Sequence, residues 1–178
     1  PRACYETELP ITKTDAAKRV AVIGAGPAGL SAAMTAAQVG HDVTLFDQAK
    51  KIGGQLNMAK QVPGKEEFWG LVDWFETMIT ETGVKTKLGQ RVSAGDLTEF
   101  DAVVVATGVT PRDPEIPGQD SDKVCGYIDV LQGRVTAGDN VVVIGAGGIG
   151  FDVSEFLVHS NAAILETPDL THWLKEWG

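Results

Sequence analysis

A six-residue glycine motif occurs twice in this chain of 178 residues. The first copy, Gly24-Ala-Gly-Pro-Ala-Gly29, follows the apolar residues 20–23, and the second, Gly145-Ala-Gly-Gly-Ile-Gly150, follows residues 141–144. Good helix formers come next in both copies, so each predicts a strand, a tight turn and a helix. The first glycine permits the turn, the second lets a pyrophosphate approach, and the third lets the helix pack on the strand.

A single motif of this kind is weak evidence for a nucleotide site, because glycine also serves helix–strand packing. Two copies in the same context favour a protein that handles two dinucleotides, most simply a flavin and a nicotinamide. We therefore predict an incomplete α/β fold of the Rossmann type, with the two dinucleotide-binding domains of a flavoprotein. The free amides at each helix N-terminus would face the phosphates.

The charge balance narrows the possible partners. The formal net charge of −9 argues against nucleic acid or an anionic membrane surface as the main partner. No apolar run approaches the roughly 20 residues that span a bilayer, and no secretory leader is recognisable. We therefore expect a cytoplasmic protein with neither a membrane nor a nucleic-acid partner.

The cysteines and histidines form no pattern that indicates catalysis. Cys4 and Cys125 cannot make a disulfide framework or a complete four-ligand metal site. His41, His159 and His172 belong to no triad and no ligand spacing, so surface or structural roles are expected. No catalytic and no metal-binding side chain is predicted, as befits a scaffold whose cofactor supplies the chemistry.

The predicted domain organisation follows from the two motifs and the prolines between them. We predict an irregular N-terminal segment at residues 1–17 and the first part of an FAD-binding domain at residues 18–110. Residues 111–138 are predicted to be a linker that crosses over to a nicotinamide-binding domain, which starts with residues 139–178. The prolines of residues 111–117 fix the backbone and remove donors, which is typical of a linker. A dinucleotide fold needs several further strands, so we expect the chain to be part of a longer protein.

Periodicity predicts the elements within these domains. We expect strands at residues 19–24, 41–47, 84–88 and 101–108, helices at 27–39 and 66–82, and a helical turn at 127–132. The last of the strands, rich in valine, reads as a buried parallel strand, beyond whose end ligands bind in such sheets.

Asp47 is the one carboxylate that the motif itself points to. It ends the second predicted strand, 18 positions after Gly29, where an acidic side chain meets the adenosine ribose hydroxyls. Without the motif, a solvated strand-end aspartate would be the better interpretation.

Five further strings accompany the first motif in a recognisable order: Pro1-Arg-Ala-Cys4, Ile52-Gly-Gly-Gln55, Pro63-Gly-Lys-Glu-Glu-Phe68, Ala106-Thr-Gly108 and Ile144-Gly-Ala-Gly-Gly-Ile-Gly-Phe-Asp152. Together they closely resemble the C-terminal half of the bacterial 2,4-dienoyl-CoA reductases. That family belongs with the flavin and iron–sulfur NADH:flavin oxidoreductases, which include trimethylamine dehydrogenase. The resemblance covers nearly the whole chain.

The resemblance implies a modular enzyme. In this family an N-terminal barrel with FMN reduces the dienoyl thioester, and a [4Fe–4S] cluster relays electrons from an FAD domain that accepts hydride from NADPH. This chain would be the FAD- and NAD(P)H-binding electron-input portion, with the barrel and the cluster region as its partners. Cys4 is not expected to ligate the cluster, and the isolated chain is expected to be inactive.

The resemblance also assigns cofactor contacts. The residues expected to contact the FAD pyrophosphate are Gly24, Ala25, Gly26, Pro27, Ala28 and Gly29, and Asp47 is expected to bind the adenosine ribose. Gly54 and Gln55 would lie toward the flavin, the backbone of Val92 would contact the adenine, and the turn of Ala106, Thr107 and Gly108 would pass close to the FAD. The nicotinamide pyrophosphate would be bound by Gly145, Gly147 and Gly150.

Two alternatives stay open at this point. Glu166, 16 residues after Gly150, could be a ribose acid that favours NADH, or its region could be an insertion that leads into Glu176-Trp-Gly178. The insertion is the favoured interpretation. Relatives of the trimethylamine dehydrogenase kind hold ADP in place of FAD, so a non-catalytic nucleotide module is the second hypothesis; Gln55 favours FAD. The substrate of the parent enzyme is not encoded here.

Overall fold

The computed structural model describes residues 4–159 together with residues 171, 174 and 175. The chain divides into two compact units. The first unit combines Pro1–Asn57 with Trp69–Asp113, and the second combines Met58–Phe68 with Pro114–Gly178. A short segment inside the predicted FAD domain, residues 58–68, therefore belongs to the second unit. The predicted domain boundary at residue 110 does not separate this segment from the first unit.

The first unit is built on a sheet of four parallel strands. They are β1 (Arg19–Ile23), β2 (Asp42–Asp47), β3 (Lys85–Leu88) and β4 (Ala102–Val105), in the spatial order β3-β2-β1-β4. Because consecutive strands run outward from β1 to β3 and then return to the other side of β1, the strand order reverses between β1 and β4. This parallel α/β arrangement confirms the predicted Rossmann-like fold.

Helices complete the crossovers of this sheet. Helix α1 (Pro27–Val39) connects β1 to β2, while α2 (Leu56–Ala59) and α3 (Glu67–Glu81) precede β3. Helix α1 begins with proline, whose missing N–H costs nothing at that position, and ends at Gly40 with φ of 109°. The predicted helix and its glycine end are therefore confirmed.

The core of the first unit lies between the sheet and its helices. The apolar stripe of α3 contributes Val72, Phe75 and Ile79, which are buried, whereas the flanking Trp69 and Trp74 are exposed. Interior side chains pack together because each removes apolar surface from water. The buried cluster comprises Val20, Val22, Ala25, Leu30, Ala33, Val43, Leu45, Ile52, Val72, Phe75, Ile79 and Val84.

Strand β4 differs from its prediction as a buried strand. Val103, Val104 and Val105 are all exposed, the last to 71%. The reason is its position, because β4 is an edge strand paired only with β1 in the part of the chain that the structure describes. Apolar composition identified the strand correctly but could not identify its neighbours.

The second unit contains α4 (Tyr127–Leu131) and α5 (Gly148–Val158). The predicted helical turn at 127–132 is thus confirmed, but residues 141–144 form no strand, and Val142 is 87% exposed. A parallel strand needs a hydrogen-bonding neighbour, and none of the described residues provides one there. Glu166, the possible ribose acid, lies outside the described residues.

We expect Gly70→Ala to raise the free energy of unfolding by about 0.5–1 kcal/mol, since alanine costs less backbone entropy in a helix. Gly70 is exposed within α3, and a Cβ there meets no described atom within 4 Å apart from the backbone of its own helix. Urea denaturation of the two proteins measures the difference. A loss of stability would contradict the helical role of this residue.

Candidate functional site

The first glycine motif forms the turn between β1 and α1. Gly24 has φ of 108°, and a Cβ on it would overlap the carbonyl oxygen of Ala106 and lie 2.6 Å from the carbonyl carbon. A Cβ on Gly29 would overlap the carbonyl oxygen of Gly24. Glycine is therefore required at both positions by the protein's own packing.

Gly26, the middle glycine, has no such requirement. It precedes α1 with φ of −77° and ψ of 179°, an extended conformation open to any residue. Of the described atoms, the Cα of Gly54 comes nearest to a Cβ placed there, at 4.0 Å, an ordinary contact. No side chain caps the amides of this helix end. The site thus presents uncapped donors beside free space, which suits an anion.

Asp47 lies at the end of β2 beside this turn. Its Oδ2 accepts a hydrogen bond from the amide of Ala25 at 2.6 Å, and its Oδ1 accepts one from the amide of Ala49 at 2.7 Å. The carboxylate therefore holds two turns in place rather than being merely solvated. Each oxygen retains capacity for another donor, such as a ribose hydroxyl.

The Gly-Gly-Gln turn lies directly on the first motif. The amide of Gly53 donates to the carbonyl of Ala25 at 2.8 Å, and a Cβ on Gly54 would come within 2.9 Å of the Cα of Gly26. Only glycine allows two backbones to approach so closely, which is why this turn contains a pair of them.

A third turn follows β4. The amide of Ala106 donates to the carbonyl of Ile23 at 2.8 Å, and Gly108 has φ of 74°. The side-chain amide of Gln55 donates to the carbonyl of Val109 at 3.3 Å. Three predicted turns therefore meet at the carboxyl ends of β1 and β4, where the strand order reverses and ligands of such sheets bind.

Val92 is placed less tightly than the other predicted residues. It follows β3, two positions after Gln90, whose amide donates to the carbonyl of Asp47 at 3.0 Å. Its chain segment therefore begins beside the carboxyl end of β2. The structure gives no polar contact of Val92 itself.

One residue of the site was missed by sequence reasoning. The side-chain amide of Asn57 donates to the carbonyl of Ile52 at 2.7 Å, and a Cβ on Gly53 would lie 2.8 Å from that amide nitrogen. Asn57 thereby stabilises the Gly-Gly-Gln turn through the backbone of its first residues. An asparagine shortly after a glycine pair is the signal that could have identified it.

The second glycine motif has a similar turn and helix within its own unit, without a strand before the turn. Gly145 has φ of 118°, and a Cβ on Gly150 would overlap the carbonyl oxygen of Gly145. Gly147 precedes α5 with φ of −85° and ψ of 178°, has no side-chain cap, and a Cβ on it would meet no described atom within 4 Å. The middle glycine is again free of any packing requirement.

Two of the histidines hydrogen-bond to backbone groups, and both cysteines lie at the surface. The Nδ1 atom of His41 accepts the amide N–H of Lys18 at 3.2 Å, and His159 hydrogen-bonds the carbonyl of Glu155 through its ring. Cys4 and Cys125 are exposed. His172 lies outside the described residues. Across residues 4–159, no helix is long and apolar enough to cross a membrane.

Comparison with known proteins identifies the family. Residues 18–169 match the family model described as pyridine nucleotide-disulphide oxidoreductase. The chain is 36% identical to a metal reductase of Desulforamulus reducens over 91% of its length, and 36% identical to a cinnamate reductase of Clostridium sporogenes over 88%. A 2-naphthoyl-CoA reductase solved with 2-naphthoyl-CoA superimposes with a TM-score of 0.78 at 34% identity, covering 83% of this chain and 23% of that one.

The chain spans about a quarter of the length of these curated relatives, 25% of the metal reductase and 24% of the cinnamate reductase. The match includes both glycine motifs and all three turns of the first unit. The chain therefore belongs to the pyridine nucleotide-disulphide oxidoreductase family, as an FAD- and NAD(P)-binding module of an oxidoreductase.

Proposed function

We propose that the first unit holds FAD at the meeting point of its three turns. The amides at the start of α1, around Gly26 and Ala28, would bind the pyrophosphate, and Asp47 would accept the hydroxyls of the adenosine ribose. Gly54 and Gln55 would lie toward the flavin. The backbone of residues 106–108 would pass beside the cofactor, and that of Val92 would contact the adenine.

We propose that the second unit holds the nicotinamide dinucleotide at the start of α5. Gly145 shapes the turn, Gly147 leaves room for the pyrophosphate, and Gly150 lets the helix pack on the turn. The favoured cofactor is NADPH, because we interpret the region of Glu166 as an insertion, so that no ribose carboxylate would repel a 2′-phosphate. NADH is the alternative.

One observation carries both assignments. In each motif the first and third glycines are explained by positive φ or internal packing, but the middle glycine is explained by neither. Each middle glycine therefore leaves open space beside uncapped amides at a helix N-terminus, which is where a pyrophosphate approaches this type of motif. The same exception recurs in two separate units.

When bound, FAD supplies a centre that accepts hydride from NAD(P)H and releases electrons singly. The chain's own residues bind and orient the two nucleotides, and none acts as an acid or a base. We propose that the electrons continue to a [4Fe–4S] cluster and an FMN barrel elsewhere in the parent protein. This chain alone would turn over no substrate.

We propose a conjugated acyl substrate, of the 2,4-dienoyl-CoA kind, for the parent protein. Two of the relatives above are named for cinnamate and 2-naphthoyl-CoA, which are both conjugated acid derivatives. Those names support the substrate class. A further relative is named for a metal, which is a different acceptor.

The test is the visible spectrum of the purified full-length protein, with identification of the nucleotide released on denaturation. We expect flavin bands, released FAD, and loss of the flavin absorption when NADPH or NADH is added without oxygen. Release of ADP without FAD would instead establish the non-catalytic nucleotide module. A flavin that neither nucleotide bleaches would contradict the electron-input role.

A further inference from the structure

An ion pair joins two side chains that have no role in the proposed cofactor contacts. The Nζ atom of Lys65 lies 2.6 Å from the Oδ2 atom of Asp152, and both residues belong to the second unit. Their side chains are only 35% and 32% exposed. The pair is therefore partly shielded from water, so its charges are less screened than those of a surface pair.

Asp152 lies close to the proposed nicotinamide site. Helix α5 begins at Gly148, so Asp152 stands four residues into it, about 6 Å along the helix axis. The helix N-terminus favours an anion through its free amides and dipole. An unpaired carboxylate at that distance would oppose this attraction, because its negative charge repels the negative charge of a bound pyrophosphate.

Lys65 is held in position by segment 58–68. Val62 is 1% exposed and packs with Leu131 and Val153, the residue next to Asp152. The amide of Lys65 donates to the carbonyl of Val62 at 3.2 Å. Two consecutive residues of α5 thus contact this segment, one through an apolar contact and one through charge.

We propose that Lys65 is a positioning residue that neutralises Asp152, so that the start of α5 can accept the pyrophosphate of a nicotinamide dinucleotide. This role rests on the proposed function of the second unit. The direction in which each substitution changes nucleotide affinity distinguishes this role from that of a purely structural ion pair. If the pair only held the fold together, removal of either partner would weaken nucleotide binding. Neutralisation predicts that only removal of the lysine weakens it.

The experiment compares the wild type of the full-length protein with K65Q, D152N and the double variant K65Q/D152N. Titration calorimetry with NAD⁺ and NADP⁺ gives the dissociation constant, and thermal unfolding reports the fold of each variant. We expect K65Q to raise the dissociation constant about fivefold at low ionic strength, with a smaller effect at high salt. D152N should leave it unchanged or lower it, and the double variant should return to within about twofold of the wild type.

The other outcomes each overturn the inference. Weaker binding by both single variants, or by the double variant as much as by K65Q, would show a structural pair without a charge effect. If K65Q does not fold, the folded D152N variant decides between the two roles. Weaker nucleotide binding by D152N would contradict neutralisation, which predicts unchanged or tighter binding. A wild-type protein that binds neither nucleotide would overturn the proposed nicotinamide site and this inference with it.

Discussion

Gly24→Ala is expected to destabilise the first unit by at least about 3 kcal/mol and to prevent its folding at moderate temperature. The new Cβ would overlap the backbone of Ala106 and lie 3.1 Å from the Cα of Thr107. Backbone atoms at the end of a strand cannot move aside as a flexible side chain can. The substitution also forces alanine into φ of 108°, a conformation that a Cβ disfavours.

Gly83→Ala is the matched control for this substitution. Gly83 lies in the same unit with φ of 76°, but a Cβ there meets no atom within 4 Å. It therefore has the backbone cost without the overlap, and we expect it to lose only about 1–2 kcal/mol. Denaturant unfolding measures both. Equal losses in the two variants would show that the contact of Gly24 with Ala106 is not what requires glycine.

Gly26→Ala is expected to have the opposite profile, with stability nearly unchanged and FAD binding weakened by at least about tenfold. Its extended backbone and its open surroundings accept a methyl group. That methyl group would occupy the space where the pyrophosphate must approach the amides of α1. The FAD content of the purified protein and the unfolding temperature of its cofactor-free form separate the two effects.

Gly147→Ala is the counterpart in the second unit. We expect it to retain FAD and to bind NAD⁺ or NADP⁺ at least about tenfold less tightly, because only the second pyrophosphate site is filled. Each variant thus controls for the other in the same protein. Full FAD content in Gly26→Ala would contradict a pyrophosphate site beside the middle glycine of the first motif.

Local features were the ones that could be predicted from the residues. The turn glycines, the helix that ends at Gly40 and the apolar stripe of α3 depend on backbone sterics and on periodicity within one element. These properties depend on residues that are adjacent in the chain, so a short stretch of sequence is enough to predict them. The same holds for the turn at Gly24. At Gly145 the glycine conformation and the following helix are as predicted, but the preceding strand is not.

The predictions that were wrong concern partners far apart in the chain. Strand β4 was identified, but its exposure depends on which strands lie beside it. Residues 141–144 have the composition of a strand and form none, because a strand exists only with a hydrogen-bonding neighbour. Composition cannot supply that neighbour.

The residues alone were enough to identify the two glycine motifs, the class of fold and a flavin- and nicotinamide-binding oxidoreductase module. The narrower resemblance to the 2,4-dienoyl-CoA reductases stays a prediction. Only the tertiary structure decided that Asp47 holds the amides of Ala25 and Ala49, and that segment 58–68 joins the second unit. It also separated Gly24, Gly29 and Gly150, which the protein's own packing requires, from Gly26 and Gly147, where a Cβ would have room. The reason is physical: overlap, pairing and burial are properties of atoms that meet in space, and their positions in the chain do not reveal which atoms will meet.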